Sequence, residues 1–226
     1  MQRLLAVITV GCDGRPADAV RQSLGRETLL ERAGRLLMEA APDRVVVSIP
    51  DDGLRAASLA AGGEPLVRTG RDHSLEGALT EALDALPDDY DLVLAVDPLL
   101  PLRRPGRLAA ALRLAAAGQA DSVFTCHRHA ALLWRRSPMG LVPYFDPAER
   151  AAAPDHADEL SWLREDGGFY LLDTACFRRD RSRHCGRMAP LETEPAEAIG
   201  AADAAGLAAC RALIAERRRE AAAAAS

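Results

Sequence analysis

Asp91-Leu92-Val93-Leu94-Ala95-Val96-Asp97, followed by Pro98-Leu99-Leu100-Pro101-Leu102-Arg103, is the stretch that decides the fold. Five consecutive apolar residues between two aspartates are too few for a helix of normal length. They lack the polar alternation of a strand with one wet face. Such a run predicts a central strand covered by helices on both sides, as in parallel sheets. Asp97 then stands where the strand leaves the sheet.

Working outward, the same pattern repeats. Leu4–Val10 reads as a buried strand ending in the tight loop Gly11-Cys12-Asp13-Gly14, and Arg44–Ile49 as a β-branched strand stopped by Pro50-Asp51-Asp52-Gly53. Glu64–Arg68, Asp121–Cys126 and Gly168–Leu172 complete the strands. Between them, helical spacing marks Thr28–Ala40, Leu54–Ala61, Ser74–Leu86 and Pro105–Ala117, and Ala196–Ala222 reads as one long closing helix. Strands alternating with helices predict a three-layer α/β/α domain over 1–226 with a mostly parallel sheet. Residues 127–162 lose periodicity and read as an inserted arm suited to embracing a second subunit. The alanine tail at 221–226 is expected to fray.

Composition narrows the function. Of 226 residues, 49% are hydrophobic and 27% charged, with a formal net charge of −5. That balance suits an ordinary globular protein and argues against a nucleic-acid partner. No apolar run reaches membrane-span length and no signal peptide is evident, so cytoplasmic residence is expected. Five cysteines at irregular spacing (12, 126, 176, 185, 210) do not form a disulfide framework. All 28 basic residues are arginine. No chemistry in this chain can use a lysine.

Ligands of such sheets bind outside the carboxyl ends of the strands. That points to loop 11–27, segment 68–74, turn 97–103 and segment 164–170. Asp97 reads either as a ligand for a hard cation such as Mg²⁺ or as a cap on the turn before proline. Gly11 and Gly14 let backbone amides approach a phosphate, and Arg15 can pair with its oxygens, although these residues taken alone favour a plain tight turn with no ligand. Arg68, Arg71, His73 and Ser74 precede a helix N-terminus, where an anion or a base edge is favoured and where Ser74 can also cap the helix. Cys126-His127-Arg128-His129 and His184-Cys185 hold metal-ligand residue types at no spacing typical of a zinc knuckle. The arginine run 178–187 reads as a solvated loop able to neutralise an acidic ligand.

The order of segments resembles the cytidylyltransferases that activate sugar acids, such as CMP-N-acetylneuraminate and CMP-Kdo synthetases. Leu24-Gly25-Arg26-Glu27-Thr28-Leu29-Leu30, Asp43–Ser48, Asp91–Val96, Pro98 with Pro101-Leu102-Arg103, Asp121-Ser122-Val123 and Arg164–Tyr170 carry the likeness. It implies a Rossmann-like, GT-A-like nucleotidyltransferase fold, transfer of CMP from CTP to a sugar acid or similar acidic small molecule under Mg²⁺, and a homodimer through the 127–162 arm. It also implies roles for residues. Asp97 falls on the metal, Ser74 with Arg68 or Arg71 on the cytosine side of the nucleotide, and Asp166 and Gly167, with Tyr170 beside them, on the acceptor. The loop and turn readings add Arg15 with Asp97 at the reacting centre, Gly11 and Gly14 on the nucleotide, Arg103 on the acceptor and Asp203 as the nearest second carboxylate for the metal. The family's phosphate-gripping Arg-x-Gly-Ser and Lys-Asn fall here among Val10, Asp13, Gly14, Ala19 and Val20, and its Asp-Ile-Asp at Ala198-Ile199-Gly200. Arg15, Arg21 or Arg26 can stand in for the lysine. A non-catalytic relative that binds nucleotide or pairs with an active homologue, and a transferase for another base, are the alternatives.

Overall fold

The computed structural model describes residues 2–130, 133–144 and 161–224. Its main sheet takes strands β1 (Leu4–Thr9), β4 (Arg44–Ile49), β5 (Glu64–Val67), β6 (Leu92–Val96), β7 (Ser122–Ala130), β10 (Ser161–Asp173) and β11 (Met188–Glu192), in the spatial order β11-β7-β10-β6-β1-β4-β5. Four neighbouring pairs are parallel; β10 runs antiparallel to both β6 and β7. The expected mostly parallel α/β sheet is present, with one reversed strand at its centre. Small two-stranded pairs are added by β2 (Ser23–Leu24) with β3 (Glu27–Thr28), and by β8 (Trp134–Ser137) with β9 (Gly140–Pro143).

The helices are α1 (Leu29–Leu37), α2 (Arg55–Ala60), α3 (Leu75–Ala85), α4 (Arg107–Ala116), α5 (Thr174–Asp180) and α6 (Ala204–Ala224). They divide between the faces of the sheet because strand side chains alternate. Leu4, Ala6 and Ile8 of β1, Leu92, Leu94 and Val96 of β6, and Phe169 and Leu171 of β10 pack with α1, α4 and α6. Leu5 and Val7, Val93 and Ala95, and Tyr170 and Leu172 pack with α3 and α5 on the other side. The same parity carries Thr9 and Asp97 toward the α3/α5 side. Thr28 starts α1 with a reciprocal capping box to Glu31.

Several boundaries differ from those read in the sequence. The long helix over 196–222 is broken: a short 3-10 turn at Pro195–Ala198 precedes α6, which starts after Asp203 and stays helical through Ala224, where fraying was expected. A Cβ on Gly206 would overlap the carbonyl oxygen of Gly200, so the chain folds back on itself there. Strand β7 continues to Ala130 and β10 begins at Ser161, so the 127–162 insert starts as extended strand and a β8–β9 hairpin; residues 145–160 of the expected arm lie outside the described residues. Elements α5 and β11 bracket the arginine run that reads as loop. No helix among the described residues is long and apolar enough to cross a membrane.

Gly34 sits mid-α1 with its Cα against the Ala61 backbone carbonyl, so close that an added Cβ would overlap the oxygen. Alanine ordinarily favours a helix over glycine by about 1 kcal/mol. Here Gly34→Ala is expected to reverse that sign and destabilise by about 1–3 kcal/mol through overpacking. The readout is a lower urea midpoint with an unchanged m-value.

Candidate functional site

The loop leaving β1 winds back over the strand end because Gly11 (φ 70°), Asp13 (φ 52°) and Gly14 (φ 75°) all adopt left-handed backbone. Arg15 N–H closes the turn on the Cys12 carbonyl at 3.0 Å, while Asp13 N–H reaches the carbonyl of His73 at 3.0 Å. The Asp13 carboxylate accepts Leu75 N–H at the start of α3, at 3.2 Å. This curl returns the Arg15 guanidinium to the sheet, where Nη1 lies 2.8 Å from Asp97 Oδ2. Asp97 itself is held by Leu99 N–H on Oδ1 at 2.8 Å. Its side chain is 9% exposed and that of Arg15 38% exposed.

Burial pushes the Asp97 carboxyl above the usual carboxylate range; Arg15, and the Leu99 amide after it, pull it back. The pair faces a pocket of about 40 Å³ that also takes Thr9, Cys12, Asp13, Tyr170 and Arg183. Arg183 reaches the pocket from the loop after α5. Its Nη2 lies 2.9 Å from Asp13 and 2.6 Å from Glu76, and its guanidinium stacks 5.2 Å over the Tyr170 ring. The Tyr170 hydroxyl donates to Glu165, whose second oxygen lies 2.9 Å from His184 Nε2. Burial raises the Tyr170 phenol above its ordinary value.

The reversed strand supplies the far wall. Between Glu165 and Tyr170 the β7–β10 register shifts, and the resulting bulge carries Asp166, Gly167 and Gly168. A Cβ on Gly167 (φ 76°) would lie 3.5 Å from Arg15 Nη2. That is an ordinary contact distance, so it is the left-handed backbone that calls for glycine here. Asp166 accepts from Thr125 Oγ1, from Gly168 N–H at 2.8 Å and from Thr193 Oγ1 at 3.0 Å. Arg15 also borders a second, open groove of about 380 Å³ that includes His127, Arg164, Glu165, Asp166 and Ile199. Arg164 is exposed with no partner among the described residues, and Nδ1 of the buried His127 is likewise unpaired. Arg15 is the partition between pocket and groove.

On the opposite face of β10, Arg103 is buried over Phe169, 5.9 Å from the ring centroid. Its Nε and Nη2 have no hydrogen-bond partner. Burial lowers its guanidinium to about 10, against the neighbouring Glu39 and Glu197. It borders a small cavity of about 10 Å³ with Asp166, Thr193 and Glu197.

Of the residues singled out in the sequence, Arg15, Asp97, Gly167 and Tyr170 meet at one pocket, Asp166 lies in the neighbouring groove, and Arg103 lies in the separate cavity on the opposite face of β10. Gly11 and Gly14 shape the loop rather than line the pocket; with Cys12, their amides donate to no group among the described residues. Arg68 is corrected to a structural strut. It is buried and donates to Ser48 O and Oγ at 3.1 Å and to Val10 O at 2.8 Å, tying β1 to β4 beneath the loop. Ser74 caps α3 by accepting Gly77 N–H. Arg71 and His73 point outward, exposed. Asp203 accepts Gly206 N–H at 2.8 Å at the start of α6 and lines none of these cavities. It caps a helix where a metal role was expected. Asp13 and Arg183 were missed; a pair separated by 170 residues leaves no local signal.

No protein-family model matches the sequence, and no curated protein matches it. Solved structures that share the fold include the 4-diphosphocytidyl-2C-methyl-D-erythritol synthase of Anaerococcus prevotii, with TM-score 0.68 at 16% identity over 94% of this chain and 98% of that one. CMP:2-keto-3-deoxy-manno-octonic acid synthetase complexed with CTP matches with TM-score 0.65 at 16% identity, over 95% of this chain and 99% of that one. A second 4-diphosphocytidyl-2C-methyl-D-erythritol synthase gives 0.67 at 13% identity, over 95% and 99%. The α/β fold of these proteins is therefore shared across nearly the whole chain.

Asp97→Asn tests the electrostatics. The wild-type carboxyl, raised in the folded state, costs nothing while protonated in both states; as pH rises, the unfolded chain ionises first and stability falls. Asparagine keeps the bond from Leu99 N–H without that penalty. The variant is expected to match wild type near pH 3 and to exceed it increasingly toward pH 7, measured by urea midpoints across that range.

Proposed function

We propose that the chain is a nucleotidyltransferase that moves CMP from CTP onto a hydroxyl of a sugar acid or similar acidic small molecule, releasing pyrophosphate. The observation that carries this reading is the Arg15–Asp97 pair at the carboxyl ends of β1 and β6, standing between a small pocket and a larger groove. It occupies the ligand edge of a fold shared with proteins named for cytidylyl chemistry, one of them complexed with CTP.

Arg15 is the lysine substitute. Its fork makes two parallel bonds to phosphate oxygens, and its exposure leaves it free to turn from Asp97 toward them. The unpaired amides of Gly11, Cys12 and Gly14 add donors at the same lip. Asp97 and Asp13 offer the carboxylate oxygens a hard cation takes, at positions now neutralised by Arg15 and Arg183. Mg²⁺ held there would neutralise charge on the phosphates. On the groove side Arg164 and His127, and deeper in Arg103, give an acidic acceptor its cationic surroundings. A homodimer through the arm accords with the exposed Trp134, Leu141, Trp162 and Leu163; sedimentation checks it.

With CTP, Mg²⁺ and a panel of sugar acids, pyrophosphate release is expected, and CTP is expected to outperform ATP, GTP and UTP. Arg15→Ala should lower kcat about a hundredfold or more, the usual cost of losing a charge-stabilising donor. Silence across the panel from folded protein would sink the reading. A second reading, a nucleotide-binding relative without turnover, is favoured by one observation: both Asp97 oxygens are already engaged and no partner carboxylate comes from Asp203. Calorimetric CTP binding without pyrophosphate selects it.

Arg103→Met separates recognition from folding. Replacing a buried, incompletely bonded guanidinium by an apolar chain of similar size is often neutral or stabilising. The variant is expected to keep or raise its melting temperature while KM for the acidic acceptor rises at least about tenfold, the loss expected when a charged contact is removed. An unchanged KM removes Arg103 from the acceptor side.

A further inference from the structure

Behind the pocket, the loop that delivers Arg183 and His184 is anchored to α5 by two thiols. Cys176 Sγ, Cys185 Sγ and a carboxylate oxygen of Asp180 all lie within 4.8 Å of one another. Cys176 and Asp180 are one helical turn apart at the end of α5, and Cys185 arrives from the following loop. Gly186 (φ 58°) lets that loop press down: a Cβ there would lie 2.7 Å from Cys176 Sγ and 2.6 Å from Asp121 Oδ2. Both cysteines are buried and free, while the Asp180 side chain is 33% exposed, leaving a way in from solvent.

A cation already occupies this corner. Arg179 Nη2 lies 3.1 Å from Cys176 Sγ and 2.8 Å from Asp180 Oδ2, bridging two of the three candidate donors. The Arg179 side chain is 65% exposed, so it can swing away. The donor spacing suits a small tetrahedral ion. Metal–sulfur bonds of about 2.3 Å and metal–oxygen bonds of about 2.1 Å put neighbouring sulfur and oxygen roughly 3.6 Å apart. Cys176 Sγ and Asp180 Oδ2 are 3.8 Å apart.

We propose that Cys176, Asp180 and Cys185 form a binding site for a thiophilic divalent cation of the zinc type, which clamps the 181–187 loop onto α5. Two S–H bonds break, two metal–thiolate bonds form, and both protons go to solvent. The carboxylate supplies the third bond and water the fourth. The two thiolates and the carboxylate around a doubly charged ion leave the site with one net negative charge, beside which the displaced Arg179 remains. This site serves the loop rather than the nucleotide chemistry, so it stands or falls independently of that reading.

The test uses the full chain, stripped with a chelator and kept reduced with a phosphine. Titrating Co²⁺ should produce a thiolate-to-cobalt charge-transfer band with one-to-one stoichiometry, and Zn²⁺ should erase it. Zinc at a hundredfold above its Kd should raise the melting temperature by roughly 5–10 °C. Cys176→Ser and Cys185→Ser should each lose the band, whereas Cys126→Ser should keep it. Should the buried serine variants fail to fold, two exposed positions decide: Asp180→Asn should weaken binding about tenfold or more, and Arg179→Ala, freed of the competing guanidinium, should tighten it severalfold. The assignment is overturned by the absence of a band in wild type, by a band that survives Cys185→Ser, or by zinc affinities unchanged in both Asp180→Asn and Arg179→Ala. Fewer than five titratable thiols in protein purified without reductant, with no cobalt band after reduction, would show a disulfide pair instead.

Discussion

The Arg15–Asp97 pair is the contact around which the ligand edge of the sheet is organised. A carboxylate at 9% exposure needs a counter-charge or a proton, and the guanidinium that reaches it among the described residues comes from the loop after the neighbouring strand β1. Reaching Asp97 requires the β1 loop to double back. Hence the succession of left-handed residues at Gly11, Asp13 and Gly14, and the Arg68 strut beneath it. Each of these features would be hard to account for singly. Together they serve the placement of one ion pair in a low-dielectric corner, where the charge of Arg15 offsets part of the cost of burying the carboxylate.

The reversed strand β10 explains why that corner is a pocket. A fully parallel neighbour would present its own carboxyl end beside Asp97 and send a helix away from the edge. The antiparallel strand instead brings its middle there, and the bulge at Asp166–Gly168 widens the gap. Strand parity then sorts the surroundings. Tyr170, Thr9 and Asp97 fall on the α3/α5 side, while Phe169 and Arg103 fall on the other, so one strand end serves two differently lined cavities.

Much of this was legible in the sequence wherever the determinant is local. Apolar runs marked β1, β4 and β6; Thr28 and Ser74 marked helix starts; and the strand-end position of Asp97 needed only the run before it. What could not be read depends on distant residues meeting. The Asp13–Arg183 bridge spans most of the chain. Arg68 read as a ligand contact because its burial is set by the packing of β4 and β5, and Asp203 read as a metal ligand although a free amide three residues on makes it a cap. The alanine-rich segment 196–222 fits a continuous helix by propensity alone; the close approach of Gly206 to the Gly200 carbonyl breaks it.

The absence of lysine gives these arginines a common logic. A guanidinium can be buried against carbonyls, as in Arg68, stacked on an aromatic ring, as in Arg183 and Arg103, or shared between a thiol and a carboxylate, as in Arg179. A compact ammonium would do each of these less well, since it cannot stack and offers no planar fork. The cost is that arginine cannot shed its proton, so it can serve this fold as clamp, strut or counter-ion but not as a base. A base at the candidate site would therefore have to come from the other side chains that line it, the carboxylate of Asp97 in the pocket or the imidazole of His127 in the groove. The partition made by Arg15 puts Asp97 on the pocket side and His127 on the groove side. On the proposed reading, the phosphates would lie on the Asp97 side of that partition and the incoming hydroxyl on the His127 side, so binding and deprotonation would fall to different sides of the same loop.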